Sequence, residues 1–357
     1  MRRLLLAIFL LLLAGAAWIG VSLYRPYQGF PKEGLFVEIP HGASGRVIAR
    51  LLAEKGVVRS SVAFEALCRW RAQRKLVAGE YFFDRPATAF EVFRKIADGS
   101  VYVKDLTVPE GYTMFDIAGL VAQEGFTTRA AFLKAARDTS LIQDLAPAAG
   151  SLEGFLFPAK YQFSRHASAK EIAGAMVARF REAWNSLPEE VRQRDDRPVD
   201  AVATLASLVE KETAAAAERP VIAGVFANRL RRGLPLQCDP TVIYALELAD
   251  KYSGRLDSGD LQFDSAYNTY RHRGLPPGPI ANPGLASLRA ALEPQQVGYF
   301  YFVASGNGGH TFSRTLKEHN QNVAHYRGLL AQNGRAPASE NYASGARKKA
   351  AATKRSR

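Results

Sequence analysis

Residues 39–57 read IPHGASGRVIARLLAEKGV, and residues 108–126 read VPEGYTMFDIAGLVAQEGF. Set against each other at an offset of 69, they share Pro40/Pro109, Gly42/Gly111, Ile48/Ile117, Ala49/Ala118, Leu51/Leu120 and Gly56/Gly125. Each copy starts as a short strand, turns at Pro-x-Gly, offers Ser or Thr as a helix cap, and closes the helix on glycine. A second matched pair follows. GEYFFDRPATAFEV (79–92) and KYQFSRHASAKEI (160–172) both place an aromatic strand and a turn ahead of Thr88 or Ser168 and another helix. Two matched pairs in the same order mark a repeated supersecondary unit, with a longer connection in the second copy. It predicts two β-α…β-α units, at 38–105 and 106–185, in an α+β chain.

The first unit resembles a LysM module, the small βααβ domain that binds N-acetylglucosamine-containing glycans. The matching residues are Ile39, Pro40, Gly42, Ser44, Ile48 and Ala49. A structural repeat with no ligand is the equal alternative. After the second unit, a polar and helix-prone stretch at 181–197 ends in the charged run Arg192–Arg197 and reads as a solvated hinge. It closes the block 106–197 and leads to a third region, 198–335, of mixed α/β character.

Toward the N-terminus, Leu4 to Tyr24 contains no charged side chain. Twenty-one helical residues span about 30 Å, the thickness of a bilayer's hydrocarbon core. Arg2 and Arg3 precede it and Trp18 and Tyr24 lie toward its far end, which predicts a retained single-pass anchor with its N-terminus in the cytoplasm and the remainder exported. The competing reading is a signal peptide cut near Ala14-Gly15-Ala16. Residues 25–37 hold two Pro and two Gly and read as a linker.

The net charge is +13, but eight of the Lys and Arg residues sit at the two termini, so the body is only mildly basic. That argues against a nucleic-acid partner. The stretch 336–357 has no apolar periodicity and reads as a disordered basic tail. The two cysteines, Cys68 and Cys238, form no C-x-x-C, and six histidines give no metal-ligand spacing, so no metal or other cofactor is expected. Nucleotide-binding glycine loops and G-x-S-x-G are absent too.

The chemistry concentrates after residue 198. VDAVATLASLVEKET (199–213) is a helix in which, at about 100° per residue, Ala201, Leu205, Leu208 and Val209 fall within about 60° of Glu212. A carboxyl on that apolar stripe loses hydration, which favours its protonated form and suits it to donate a proton. Glu210 lies about 160° round, beside Ala203 and Ala206, where a second helix can pack and Arg219 or Arg231 can be oriented. If the periodicity ends near residue 210, Glu212 is instead a surface residue at the helix end. Further on, LQCDPTVIYAL (236–246) places Asp239 as a cap for a helix opened by Thr241. SAYNTYRHRGLPPGPIANPG (265–284) is a rigid Pro/Gly loop carrying Tyr267, Asn268 and Thr269, the residue types that bind sugars. YFYFVASGNGGHTF (299–312) reads as a hairpin, with His310 on its return strand.

The strings LASLVEKETAAAAERPVIAGVFANRL, LQCDPTVIYAL, SAYNTYRHRGLPPGPIANPG and YFYFVASGNGGHTF are similar to those of the endolytic murein transglycosylase family, also called MltG or YceG-like. The resemblance covers roughly 35–330. It implies a lytic cleavage of the MurNAc-GlcNAc bond of nascent peptidoglycan that leaves 1,6-anhydroMurNAc ends and terminates strands beside the glycan polymerases. It also implies that Glu212, the second Glu of E-K-E-T, is the acid/base. Gln237, Asp239, Thr241, Tyr267, Asn268 and Thr269 are expected to line the cleft, with Glu210 in support. Cys238 departs from the small polar residue expected in Q-x-D-P-T. A hydrolytic muramidase and a non-catalytic glycan-binding scaffold are the alternatives.

Overall fold

The structure, a computed structural model, describes residues 2–332; the basic tail read at 336–357 lies outside them. The chain folds as two compact units with the break between Lys104 and Asp105. Helix α1 (Arg2–Tyr24) opens the first and is long and apolar enough to cross a membrane. It is followed by β1 (Leu35–Ile39), α2 (Gly45–Glu54), α3 (Ser61–Trp70), β2 (Gly79–Phe83) and α4 (Ala89–Ala97). β1 and β2 pair antiparallel with Val37 opposite Tyr81. The period-2 pattern is clean: Val37, Ile39, Tyr81 and Phe83 are buried in the core, while the tilted rings of Phe36 and Phe82 meet at 4.5 Å between centroids on the other face.

The second unit begins with the same order: β3 (Lys104–Thr107), α5 (Met114–Gln123), α6 (Arg129–Ala136), β4 (Lys160–Phe163) and α7 (Ala169–Ser186), with β3 paired to β4. The caps fall on the residues that the repeat marks. Ser44 and Thr113 accept the third backbone N–H of α2 and α5, and Thr88 and Ser168 do so for α4 and α7. Glycines end the first helix of each copy in the left-handed region, Gly56 at φ 72° and Gly125 at φ 70°, where a Cβ would be strained. The repeat is thus a βααβα unit used twice.

The Pro/Gly segment after α1 is not slack. Tyr27 bridges Ala87, the Gly29 N–H bonds the Gly56 carbonyl at 2.8 Å, and Phe30 is buried. Its glycines and prolines record close turns against the first unit rather than a tether.

The remaining elements are α8 (Glu189–Arg194), α9 (Val199–Glu212), α10 (Arg219–Arg231), α11 (Asp239–Leu248), α12 (Leu285–Leu292), β5 (Tyr301–Ala304), β6 (His310–Ser313) and α13 (Leu316–Gln332). One hydrophobic core runs from Leu106 to Leu292, so the blocks before and after the charged run 192–197 share it. That run is anchored as well: Arg197 donates to Asp195 and, at 2.7 Å, to the Ala291 carbonyl. At the centre lies α9, against α10, α11 and α12. Every residue from Val202 to Val209 is buried, so α9 has no solvent face along that stretch.

Candidate active site

Because α9 is enclosed, an apolar stripe does not by itself distinguish its two terminal acids. The Glu210 side chain is 6 % exposed and Glu212 is 8 % exposed. Their partners separate them. Glu210 Oε2 accepts from the Gly284 N–H at 3.1 Å and the Ser287 hydroxyl at 2.7 Å, in the first turn of α12. Its Oε1 accepts from Arg219 Nη2 at 3.3 Å. An anion at a helix N-terminus is favoured by the unpaired N–H groups and the helix dipole. Glu210 is therefore the joint between α9, α10 and α12.

Glu212, the last residue of α9, faces the other way, toward α10 and the start of α11. Its charge and a hydrogen bond to it help burial to push the Cys238 thiol well above its usual range, so Cys238 stays protonated. Glu212 also acts on Arg229: burial lowers the pKa of that guanidinium, and Tyr301, Tyr270, Cys238 and, least, Glu212 oppose the shift in part. Arg229 donates to Gln237 Oε1 and lies over the Tyr301 ring, 5.4 Å from its centroid. Gln237 has φ 51°, a left-handed conformation that only the surrounding bonds maintain. Its backbone N–H donates to the Thr269 carbonyl at 3.2 Å.

Several residues expected in the cleft are brought together here but turned inward. Thr241, Asn268 and Thr269 are fully buried. Thr241 and Thr269 share a hydroxyl bond at 2.9 Å, Thr269 also accepts from the Cys238 N–H at 3.0 Å, and Thr241 donates to the Cys238 carbonyl at 2.6 Å. Asn268 holds the Leu261 and Phe263 carbonyls. These side chains use their hydrogen bonds within the protein and brace the loop that carries Gln237 and Cys238. Asp239 does not cap α11. It is the first helical residue, Cys238 is the N-cap without a side-chain bond, and the Asp239 carboxylate is drawn instead to the Tyr270 hydroxyl. Tyr267 packs on Tyr244 at 5.2 Å.

Residues that the sequence reading did not single out complete the surroundings. Glu218 accepts from the Thr213 hydroxyl at 3.0 Å, from the His310 N–H at 2.8 Å, and meets His310 Nδ1 at 2.7 Å. Burial raises its pKa, but His310 and Thr213 outweigh that and hold it below the usual carboxylate value. This chain of bonds ties the β5–β6 hairpin to the residue next to Glu212. Arg229 and Glu218 sit in runs that look like ordinary helix sequence, so nothing local distinguished them.

A third buried acid, Glu153, accepts from the Met114 N–H at 2.9 Å and Asn282 Nδ2 at 2.7 Å. Burial raises its pKa to about 8. Asn282 in turn bonds the Leu156 N–H and the Tyr112 carbonyl, which locks the Pro/Gly loop onto the second copy of the repeat. Among the described residues, no group of His, Cys, Asp and Glu is arranged to hold a metal ion.

Comparison with known proteins agrees with this architecture. The profile of the YceG-like family matches residues 37–325. An endolytic murein transglycosylase of Bacillus subtilis is 35% identical over 327 residues, covering 87% of this chain and 90% of that protein. A protein of the same name from Streptococcus pneumoniae is 29% identical, covering 89% of this chain and 64% of its own longer one. A crystal structure of a yceG-like protein from Listeria monocytogenes superposes with a TM-score of 0.55 at 34% identity, over 82% of this chain and 99% of that one. The chain belongs to the YceG-like family.

Proposed function

We propose that this chain is an endolytic murein transglycosylase: it cleaves the MurNAc-GlcNAc bond of peptidoglycan by a lytic route and leaves 1,6-anhydroMurNAc ends. The observation that carries the reading is the division of labour at the end of α9. Glu210 is committed to α12 and Arg219, while Glu212 faces Arg229 and the Cys238 thiol. Glu212 donates its proton to the glycosidic oxygen as the bond to the muramic acid C1 breaks. The resulting carboxylate takes the proton of the muramic acid 6-hydroxyl, whose oxygen closes on C1. The attacking group belongs to the substrate, so one carboxylate serves both steps, unlike the paired acids of hydrolytic glycosidases. Gln237 and Asp239 hold the wall beside it, with Thr241, Asn268 and Thr269 behind.

The finer assignments follow from the same reading. The helix α1 is a single-pass anchor in the cytoplasmic membrane, with both units on the extracytoplasmic side and nascent strands as substrate beside the glycan polymerases. The first unit, 38–105, is a LysM-like glycan-binding domain, and 106–197 and 198–335 together build the catalytic part. A cavity of about 730 Å³ supports the LysM-like role. It lies between the turn Gly42–Gly45 and the loop after α3, and is lined by Ser44, Arg46, Cys68 and Phe93.

The test is the wild type beside Glu212→Gln on purified sacculi, with products weighed by mass spectrometry. Anhydro ends, one water lighter than hydrolysed ends, are expected from the wild type and none from the variant. Hydrolysed ends would make the enzyme a muramidase, no cleavage by the wild type would make it a binding scaffold, and anhydro ends from the variant would overturn the role of Glu212.

A further inference from the structure

The junction between α1 and the first unit fixes where that unit stands. Ser22 is 3 % exposed and Leu23 packs on the first unit's core, so the last turn of α1 belongs to the folded unit. The apolar residues left for a bilayer are Leu4 to Val21, eighteen in all. They span about 27 Å at 1.5 Å each, close to the roughly 30 Å hydrocarbon core. No spare helix remains between bilayer and domain, and the bonded segment 25–30 supplies no tether. Whatever surface surrounds the end of α1 must lie at the lipid headgroups.

That surface has the composition such a position demands. Tyr24 at the helix end meets the Phe90 ring of α4 at 5.0 Å, and Phe90 meets Trp70 at 6.5 Å. Trp70, at the end of α3, is 71 % exposed, an unusual state for the largest apolar side chain. Arginines surround this row. Arg25 follows Tyr24, Arg71 lies over the Trp70 ring at 4.8 Å, and Arg94 is exposed one turn along α4 from Phe90. The nearby acid Glu91 is held in the cap of α4 by Thr88. Exposed Trp and Tyr favour the membrane interface, and arginines favour anionic headgroups.

We propose that the first unit docks directly on the bilayer through Tyr24, Trp70, Arg25, Arg71 and Arg94, binding anionic phospholipid headgroups. The anchor and domain then leave the membrane as one rigid piece. The proposal rests on α1 being a retained anchor. It gives Trp70 a role outside the cavity of the same unit, which Trp70 and Arg71 do not line.

The test uses the full chain in vesicles of phosphatidylglycerol or phosphatidylcholine, with lipids brominated near the headgroup or deep in the chains. The protein has three tryptophans, Trp18, Trp70 and Trp184. A variant with Trp18→Phe and Trp184→Phe reports Trp70 alone, and one with Trp70→Phe and Trp184→Phe reports Trp18. Shallow bromine should reduce Trp70 emission about twofold in phosphatidylglycerol and less in phosphatidylcholine. Arg25→Gln, Arg71→Gln and Arg94→Gln together should remove that difference between lipids. Trp18, three residues inside the far end of the span, should be quenched by the brominated chains to the same extent in both lipids. Unquenched Trp70 with quenched Trp18 overturns the docking and leaves the anchor standing; neither quenched overturns both.

Discussion

The Glu210 carboxylate accepts from the Ser287 hydroxyl at 2.7 Å, two residues before Glu212 on the same helix. That bond commits the first acid of E-K-E to the fold, and the proposed acid/base role falls to the second. The variants Glu210→Ala and Glu212→Gln should therefore fail differently. Glu210→Ala leaves Arg219 and the first turn of α12 without their buried anion, a loss of about 3–5 kcal/mol, seen as a lower denaturation midpoint. Glu212→Gln should keep the midpoint close to wild type while lytic turnover falls at least about 10²-fold. Calorimetry and product counting on sacculi separate the cases; loss of activity in both at unchanged stability would contradict the division.

Two other acids, the buried Glu153 and the partly buried Glu247, set a pH dependence of stability. Burial raises Glu153 to about 8 and Glu247 to about 7, from ordinary values of 4.5. The unfolded chain releases these protons near pH 4.5, while the fold keeps them until pH 7–8. Across that interval the folded state binds more protons, so these groups make stability fall as pH rises, and their effect levels off above pH 8. Urea midpoints measured from pH 5 to 8.5 should show the decline, and Glu153→Gln should flatten it. A midpoint that rises over this range in the wild type but not in Glu153→Gln would contradict the assignment.

The Glu218–His310 pair holds the hairpin against the residue after Glu212. Glu218→Gln should lower turnover about tenfold with little change in the Michaelis constant, because it loosens placement rather than binding. The same pair adds stability above the unfolded carboxylate value that is lost as pH falls through the depressed one. Steady-state rates on a soluble glycan fragment give the split, and a rise in the Michaelis constant alone would count against it.

Both cysteines are free thiols, and both are unreactive by environment. Burial raises Cys68 to about 11, and Cys238 lies well above its usual value. A thiol-labelling reagent at neutral pH should therefore modify the folded protein slowly and both residues promptly in denaturant. Cys238→Thr, which restores a small polar side chain next to Glu212, should keep activity within about threefold. Rapid native labelling of Cys238 would refute the burial argument.

On α10, a Cβ at Gly224 would stand 2.2 Å from the Gln295 carbonyl oxygen. Gly224→Ala forces that backbone apart and should destabilise by about 1–3 kcal/mol, despite the better helix propensity of alanine. An unchanged or raised melting temperature would show that the approach is not obligatory.

The sequence alone determined the repeat and its caps, because helix starts and stops depend on a few neighbouring residues: Ser44, Thr88, Thr113 and Ser168 each act within one turn. It determined the apolar α1 and the β5–β6 hairpin for the same local reason, and it pointed to Glu212. Only the tertiary structure decided why Glu212 and Glu210 differ, since their partners come from α10, α12 and the start of α11, up to 77 residues away. It also turned Thr241, Asn268 and Thr269 inward, moved Asp239 from capping α11 to Tyr270, and brought in Arg229, Glu218 and Glu153. A polar side chain in a loop has the same local signature whether it faces a ligand or braces a fold. Which it does depends on the acceptors that distant segments place beside it.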